Sequence, residues 1–169
     1  MASKKKTASK ARARRYWLFK SEPDVYSIDD LEREGEACWE GIRNYQARNL
    51  LRDEVKAGDG VLFYHSNARP LAVVGVARVC REAYPDHFQF DDGSRYHDPG
   101  SPADDPRWLM VDVAWVETFA TQVERTAMAE AAALAEMMVL RRGARLSIQP
   151  VTPAEWRHVL KMAGSRAKW

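Results

Sequence analysis

Residues 71–79, LAVVGVARV, form a nearly continuous apolar run. The run is far short of the ~18 residues of a membrane span, and it reads as a central strand covered on both faces. It limits the fold more than any other stretch, because such a strand must be flanked and packed over on both sides. Gly75 inside it marks a bulge or a close backbone approach. WLMVDVAWVETF (108–119) reads as a second long strand. VLFYHS (61–66) is a third, and its alternation puts Leu62, Tyr64 and Ser66 on one face and Val61, Phe63 and His65 on the other. YWLFKS (16–21) and RLSIQP (145–150) are short strands. In the latter, Leu146 and Ile148 are expected to be buried, with Ser147 and Gln149 sharing the other face.

Helix signals fall between these strands. Ser27-Ile28-Asp29-Asp30 has the form of a capping box, opening a short helix that runs through Glu34 and stops at Gly35. Asn44 can cap a second helix, on which Ala47, Leu50, Leu51 and Val55 share one face. TAMAEAAALAEMMVL (126–140) consists of good helix formers and predicts a third. Thr152-Pro153-Ala154-Glu155 starts the last helix with a Thr cap, Pro at the first position and Glu at the third, and Trp156, Val159 and Leu160 form its buried face. From Pro85 to Pro106 the chain is rich in Asp, Gly and Pro and reads as a long, partly irregular excursion. Strands outnumber and interleave with short helices, without a regular βαβ alternation. The fold class is α+β, a compact and mostly antiparallel β-barrel flanked by short helices.

The chain has 169 residues, enough for one domain with a real core. Its net charge of +2 hides an asymmetry. Residues 1–15 carry seven Lys or Arg and no acid, which leaves 19 basic against 24 acidic residues from Tyr16 onward, a net −5. These fifteen residues are expected to be a disordered basic tail, the folded unit to span 16–164, and 165–169 to be a C-terminal tail. The basic tail is either a non-specific anchor for nucleic-acid phosphates or a solubilising or address segment. It lacks the apolar region of a secretory signal. Two cysteines, Cys38 and Cys80, without C-x-x-C spacing argue for an intracellular protein with free thiols and against structural zinc. The four histidines do not pair at metal-ligand spacing. No metal or cofactor is expected. The expected compartment is the cytoplasm, associated with the nucleoid in a bacterium, or the nucleus in a eukaryote.

Candidates for catalysis are thin. The adjacent acids Asp29-Asp30, Asp91-Asp92 and Asp104-Asp105 point to different sides, and Asp86-His87 and His97-Asp98 are ordinary turn residues. Lys20-Ser21-Glu22 is a polar trio at the end of an apolar strand, either a strand-end salt bridge or a base built from a desolvated Lys beside Glu. Binding features are stronger. CWEGIRNYQARNLL (38–51) crowds flat and planar groups where a loop turns into a helix. A nucleobase is apolar above and below and polar around its edge. Recognising one takes aromatic stacking, worth ~1–3 kcal/mol, and polar contacts at the edge. Trp39 offers the face, while Tyr64, His65, Ser66, Asn67, Ser147 and Gln149 offer phenol, hydroxyl and amide groups. Arg43, Arg48 and Arg52 recur at about helical spacing, either as a positive rim for phosphates or as a solvated helix face.

Six ordered segments, WLFKSEP (17–23), CWEGIRNYQARNLLR (38–52), FYHSN (63–67), EAYPDHFQFD (82–91), YHDPGSPADDPRWLMVDV (96–113) and RLSIQP (145–150), closely resemble the EVE domain family. The resemblance covers about 17–160. It implies a PUA-like twisted β-barrel flanked by helices, related to YTH and ASCH domains, that reads modified bases, notably methylated or hydroxymethylated cytosine in DNA. The base would be flipped into a pocket with an aromatic wall. By this resemblance Trp39 is that wall, Asn44 and Tyr45 shape the rim, Tyr64, His65, Ser66 and Asn67 enter from a strand end, Ser147 and Gln149 meet the base edge, and Trp17, Lys20 and Ser21 lie nearby. The expectation is a non-catalytic, monomeric reader with nucleic acid as its partner and no membrane association. An amidohydrolase-like enzyme built on Lys20 and Glu22, or an RNA-binding PUA-like module, is the alternative.

Overall fold

The computed structural model describes residues 11–169. Six strands form one mixed sheet: β1 (Tyr16–Ser21), β2 (Glu36–Cys38), β3 (Gly60–His65), β4 (Ala72–Pro85), β5 (Leu109–Glu124) and β6 (Ile148–Val151), in the order β2-β5-β4-β3-β1-β6. The β1–β3 pair is parallel and the other pairs are antiparallel. Four helices accompany the sheet: α1 (Ile28–Glu34), α2 (Tyr45–Asp53), α3 (Arg125–Glu130) and α4 (Pro153–Ala163). The protein is thus an α+β domain. Among the described residues no ladder joins the edge strands β2 and β6.

Alternation along the inner strands divides the interior into two cores. Trp17, Phe19, Val61 and Phe63 face one side of the sheet, where Ile28, Leu31, Ala47 and Leu51 from α1 and α2 cover them. Leu18, Leu62 and Tyr64 face the other, under Met128, Trp156 and Val159. The capping expectations hold at atomic level. Ser27 and Thr152 each close a capping box, and the Asn44 side chain accepts from Ala47 N–H at 3.0 Å. At Gly75 the ladders on both sides of β4 shift register, and a Cβ there would lie 2.4 Å from the Glu117 carbonyl oxygen. The glycine therefore permits the close approach expected within the apolar run.

Three expectations need correction. Residues 126–140 are not one helix. After α3 the chain makes two 3₁₀ turns, Ala132–Leu134 and Met138–Leu140. Met128, Leu134, Met137 and Val139 all reach the second core, at spacings no single helix face provides. Helix propensities differ by less than ~0.7 kcal/mol per residue, whereas burying such a side chain gains ~1.5–3 kcal/mol, so packing decides. β6 begins at Ile148, not 145, and β4 and β5 run on to Pro85 and Glu124. Residues 165–169 are packed rather than trailing. Trp169 meets the Trp156 ring edge-on at 4.8 Å, and Ser165 donates to Glu117.

Of the basic segment, residues 1–10 lie outside the described residues. Arg12 is anchored, with its guanidinium donating to both oxygens of buried Asp59 at 2.8 and 3.2 Å. Asp59 also accepts from Trp17 Nε1 and from the N–H groups of Arg15 and Lys56. Burial raises its pKa, but Arg12 and these donors outweigh burial and hold the carboxyl below its usual range.

Candidate functional site

Because β1 and β3 run parallel, they end on the same side of the sheet, with Ser21 beside His65. Beyond them Ser66 N–H donates to the Ser21 carbonyl at 2.9 Å. The turn before α1, the link from β2 to α2 and the irregular excursion after β4 gather around this end and enclose a cavity of about 320 Å³. That volume falls at the small end of the range for ligand sites, ~300–1,000 Å³. Lys20, Ser21 and Glu22 line it from β1, Val25 and Tyr26 from the following turn, and Cys38 to Ile42 from the link into α2. Ser66, Arg95, Tyr96, Arg145 and Ser147 complete the lining. Trp39 is 7% exposed, and its ring lies 5.3 Å from both Phe19, tilted, and Phe63, edge-on. The first core thus fixes the plane of this wall.

A second aromatic surface is set by distant contacts. The fully buried Asp86 carboxylate accepts from Gly41 N–H, Phe88 N–H and Arg43 Nη1, each at 2.9 Å. Arg43 also donates through Nε and Nη2 to the Tyr96 carbonyl at 3.0 and 2.7 Å. Gly41 has φ +85°, and a Cβ there would fall 2.5 Å from the Tyr96 ring. Only glycine allows this ring to rest against the chain entering α2. The wall continues outward as alternating rings and guanidinium groups. Arg43 Cζ is 5.5 Å from the Tyr96 ring and 5.6 Å from Trp108, Trp108 tilts against Tyr45 at 5.0 Å, and Arg48 Cζ lies 4.9 Å over Tyr45.

The polar lining has distinct protonation preferences. Ser21 Oγ donates to the Tyr26 carbonyl at 2.6 Å, while Ser66 and Ser147 make no side-chain hydrogen bond among the described residues. Lys20 Nζ donates to the Ala144 carbonyl at 3.0 Å, and burial, then Arg125, lowers its pKa. Among the described residues it makes no ion pair with Glu22, so the expected trio does not form a Lys–Glu couple. Burial, reinforced by Glu40, pushes the Cys38 thiol up to about 11, which keeps it a poor nucleophile. Burial also lowers the pKa of His65, whose Nε2 accepts from Ile28 N–H at 3.1 Å. That bond requires an unprotonated Nε2. Among the described residues no three His, Cys, Asp or Glu side chains gather as metal ligands. What remains is a recess with aromatic walls and hydroxyl, carboxylate and cationic groups at its edges, suited to a flat ligand with a polar rim.

Comparison with known proteins agrees with that geometry. The EVE domain family model matches residues 15–162. The chain belongs to the EVE domain family. Thymocyte nuclear protein 1 of Mus musculus is 39% identical in an alignment 166 residues long that takes in 87% of this chain and 73% of that protein. The crystal structure of human THYN1 protein in complex with 5-methylcytosine-containing DNA is 37% identical, with a TM-score of 0.82 over 90% of this chain and 99% of that one. A more distant likeness, at 16% identity and TM-score 0.52, is to the YTH domain of Zygosaccharomyces rouxii MRB1 protein, covering 89% of this chain and 86% of that one. It speaks to fold alone.

Within this EVE domain the expected site residues divide. Trp39, Lys20, Ser21, Ser66 and Ser147 come together in the cavity. Asn67 lines an adjoining groove with Glu22, Arg69 and Arg145. Asn44 is occupied as the cap of α2, and Tyr45, 53% exposed, leans on Trp108 outside the cavity. His65 holds the start of α1. Tyr64 faces the second core. Trp17 is buried against Asp59. Gln149 is buried and donates to the Leu146 carbonyl at 2.9 Å. Of the three arginines expected at phosphates, Arg43 is tied to Asp86 and Tyr96, Arg48 donates to Asn49 and the Arg107 carbonyl, and Arg52 pairs with Asp53. The cavity also holds Glu22, expected there only for the enzymatic alternative, and residues that sequence reasoning did not select, chiefly Tyr96, Arg95, Arg145 and Glu40. Tyr96 heads a segment carrying the family resemblance, which was the available signal for it.

Proposed function

We propose that this EVE domain is a non-catalytic, monomeric reader of modified cytosine in DNA, taking an extruded base into the cavity bounded by Trp39 and Tyr96. One observation carries the reading: a chain 37% identical and alike over nearly its whole length is the THYN1 protein, crystallised with 5-methylcytosine DNA. The cavity supports it. Trp39 and Tyr96 supply faces for a flat ring, and the Ser66 and Ser147 hydroxyls, without a hydrogen bond among the described residues, can meet its edge. Glu22 and Glu40 are the carboxylates of the lining, and a carboxylate accepts from the exocyclic amine that distinguishes cytosine from thymine. Cys38, held as a thiol, and Lys20, turned to a backbone carbonyl, favour binding over turnover. The likeness to a YTH domain supports reading the six-stranded sheet as a PUA-like barrel. A reader of this kind works where DNA is, in a nucleoid or a nucleus.

Paired substitutions test the pocket. Tyr96→Leu removes a stacking face while keeping apolar bulk, and should lower the preference for modified over plain cytosine at least tenfold. Trp39→Phe, which preserves the core contacts, should lower it less. Undiminished preference in both variants, with the fold intact by circular dichroism, would place the base elsewhere.

A further inference from the structure

The arginines expected at phosphates each engage protein acceptors. Three other arginines flank the cavity mouth. Arg95 lines the cavity, its Cζ 5.3 Å from the Tyr96 ring. Arg145 lines both the cavity and an adjoining open groove, and Arg69 lines that groove beside Asn67. All three are exposed, and among the described residues none takes part in an ion pair or a side-chain hydrogen bond. An unpartnered guanidinium keeps all five donors for an incoming phosphate. Arg43 and Arg48 would have to give up protein acceptors first. The body outside the basic N-terminal segment is net acidic, so a run of free cations at the cavity mouth is local and directional.

We infer that the backbone of the strand carrying the read base crosses the cavity mouth from Arg95 to Arg145 and continues along the adjoining groove past Arg69. This path rests on the base-reader reading above and adds the direction of the strand. It makes Glu22, shared by the cavity and the groove, the carboxylate nearest the phosphates. Arg43 and Arg48 then shape and support the wall without neutralising phosphate, and Arg52 stays paired with Asp53.

The test is the salt dependence of binding by the full chain to single-stranded oligonucleotides that differ in one cytosine, plain or 5-methylated. Each phosphate contact contributes about 0.7 to the slope of log K against log salt on a single strand. Arg95→Ala, Arg145→Ala and Arg69→Ala should each reduce the slope by about that amount. Each should weaken plain and methylated strands by the same factor, and Arg145→Lys should restore the slope. Arg157→Ala, at an exposed position of α4, which packs on the other core, should leave it unchanged. Unchanged slopes in the three variants, or an equal loss in Arg157→Ala, would overturn the path. The slope on plain strands is independent of base reading, so the two ideas fail separately. Unchanged slopes with a retained preference for methylated cytosine remove only the path, and reduced slopes with no preference in the parent protein remove only the reader. No binding to either strand removes both.

Discussion

On the Tyr96 side of the cavity, a buried carboxylate and a guanidinium fasten the chain entering α2 to the excursion after β4. On the Ser147 side, backbone bonds such as Lys20 N–H to the Ser147 carbonyl at 2.9 Å hold the chain, and among the described residues the Ser66, Ser147 and Arg145 side chains have no hydrogen-bond or ion-pair partner. The first wall spends its polar groups on its own shape. The second keeps them available. A site that must hold a flat ring at a fixed height and still answer to its edge needs both kinds of wall, because a ring face calls for rigidity and an edge for unspent donors and acceptors.

Substitutions can break this contrast, beginning with the bolted wall. Asp86→Ala leaves Arg43 half-buried without its counter-charge and strips acceptors from Gly41 and Phe88. Removing one partner of a buried pair costs about 3–5 kcal/mol, and denaturant unfolding should show a loss of that size. A loss below 1 kcal/mol would mean the wall is not held this way. Gly41→Ala comes next. Its positive φ and the 2.5 Å approach to Tyr96 make any Cβ strained, and stability should fall by about 1–3 kcal/mol while preference for the modified base drops with it. A variant as stable and selective as the parent would show that the ring does not rest there.

The third prediction concerns pH at the strand end between the walls. The folded pKa of His65 lies below its ordinary value, so the unfolded chain binds more protons in that window. Its contribution to stability is complete above the ordinary histidine range, about 6.5, and is lost as pH falls through that range to the lowered folded pKa. Stability measured from pH 8 down to 5 should therefore decline, and His65→Gln should flatten the decline. An equally steep decline in the variant would assign it to other groups. The smallest stability effects belong to the open wall. Ser66→Ala and Ser147→Ala remove hydroxyls with no hydrogen-bond partner among the described residues, so stability should change by less than about 0.5 kcal/mol. Affinity for the modified strand should nevertheless fall several-fold in titrations. Affinity equal to that of the parent would take the hydroxyls out of recognition.

What could be read from the sequence follows the range of the interactions. The caps at Ser27, Asn44 and Thr152 are satisfied within three residues, and their motifs announced them. The apolar run at 71–79 and Trp39 at the cavity also came through, because burial and flatness are properties of the residues themselves. Arg43 looked like a phosphate ligand because its partner, Asp86, is 43 residues away and nothing local signals the pair. Gln149 was expected to share a strand face with Ser147 and, by resemblance, to meet the base edge. The strand starts only at Ile148, and the amide turns back to Leu146. Tyr64 was expected at the site by resemblance, but period-2 alternation in β3, buried on both faces, carries it into the second core. The 126–140 segment followed its packing rather than its propensity.

The most direct measurement is a titration of the full chain into three oligonucleotides identical except for one cytosine, which is plain, 5-methylated or 5-hydroxymethylated, at one fixed salt concentration. The reader account predicts at least a tenfold preference, about 1.4 kcal/mol, for one modified strand over the plain one. Equal affinity for all three would contradict it.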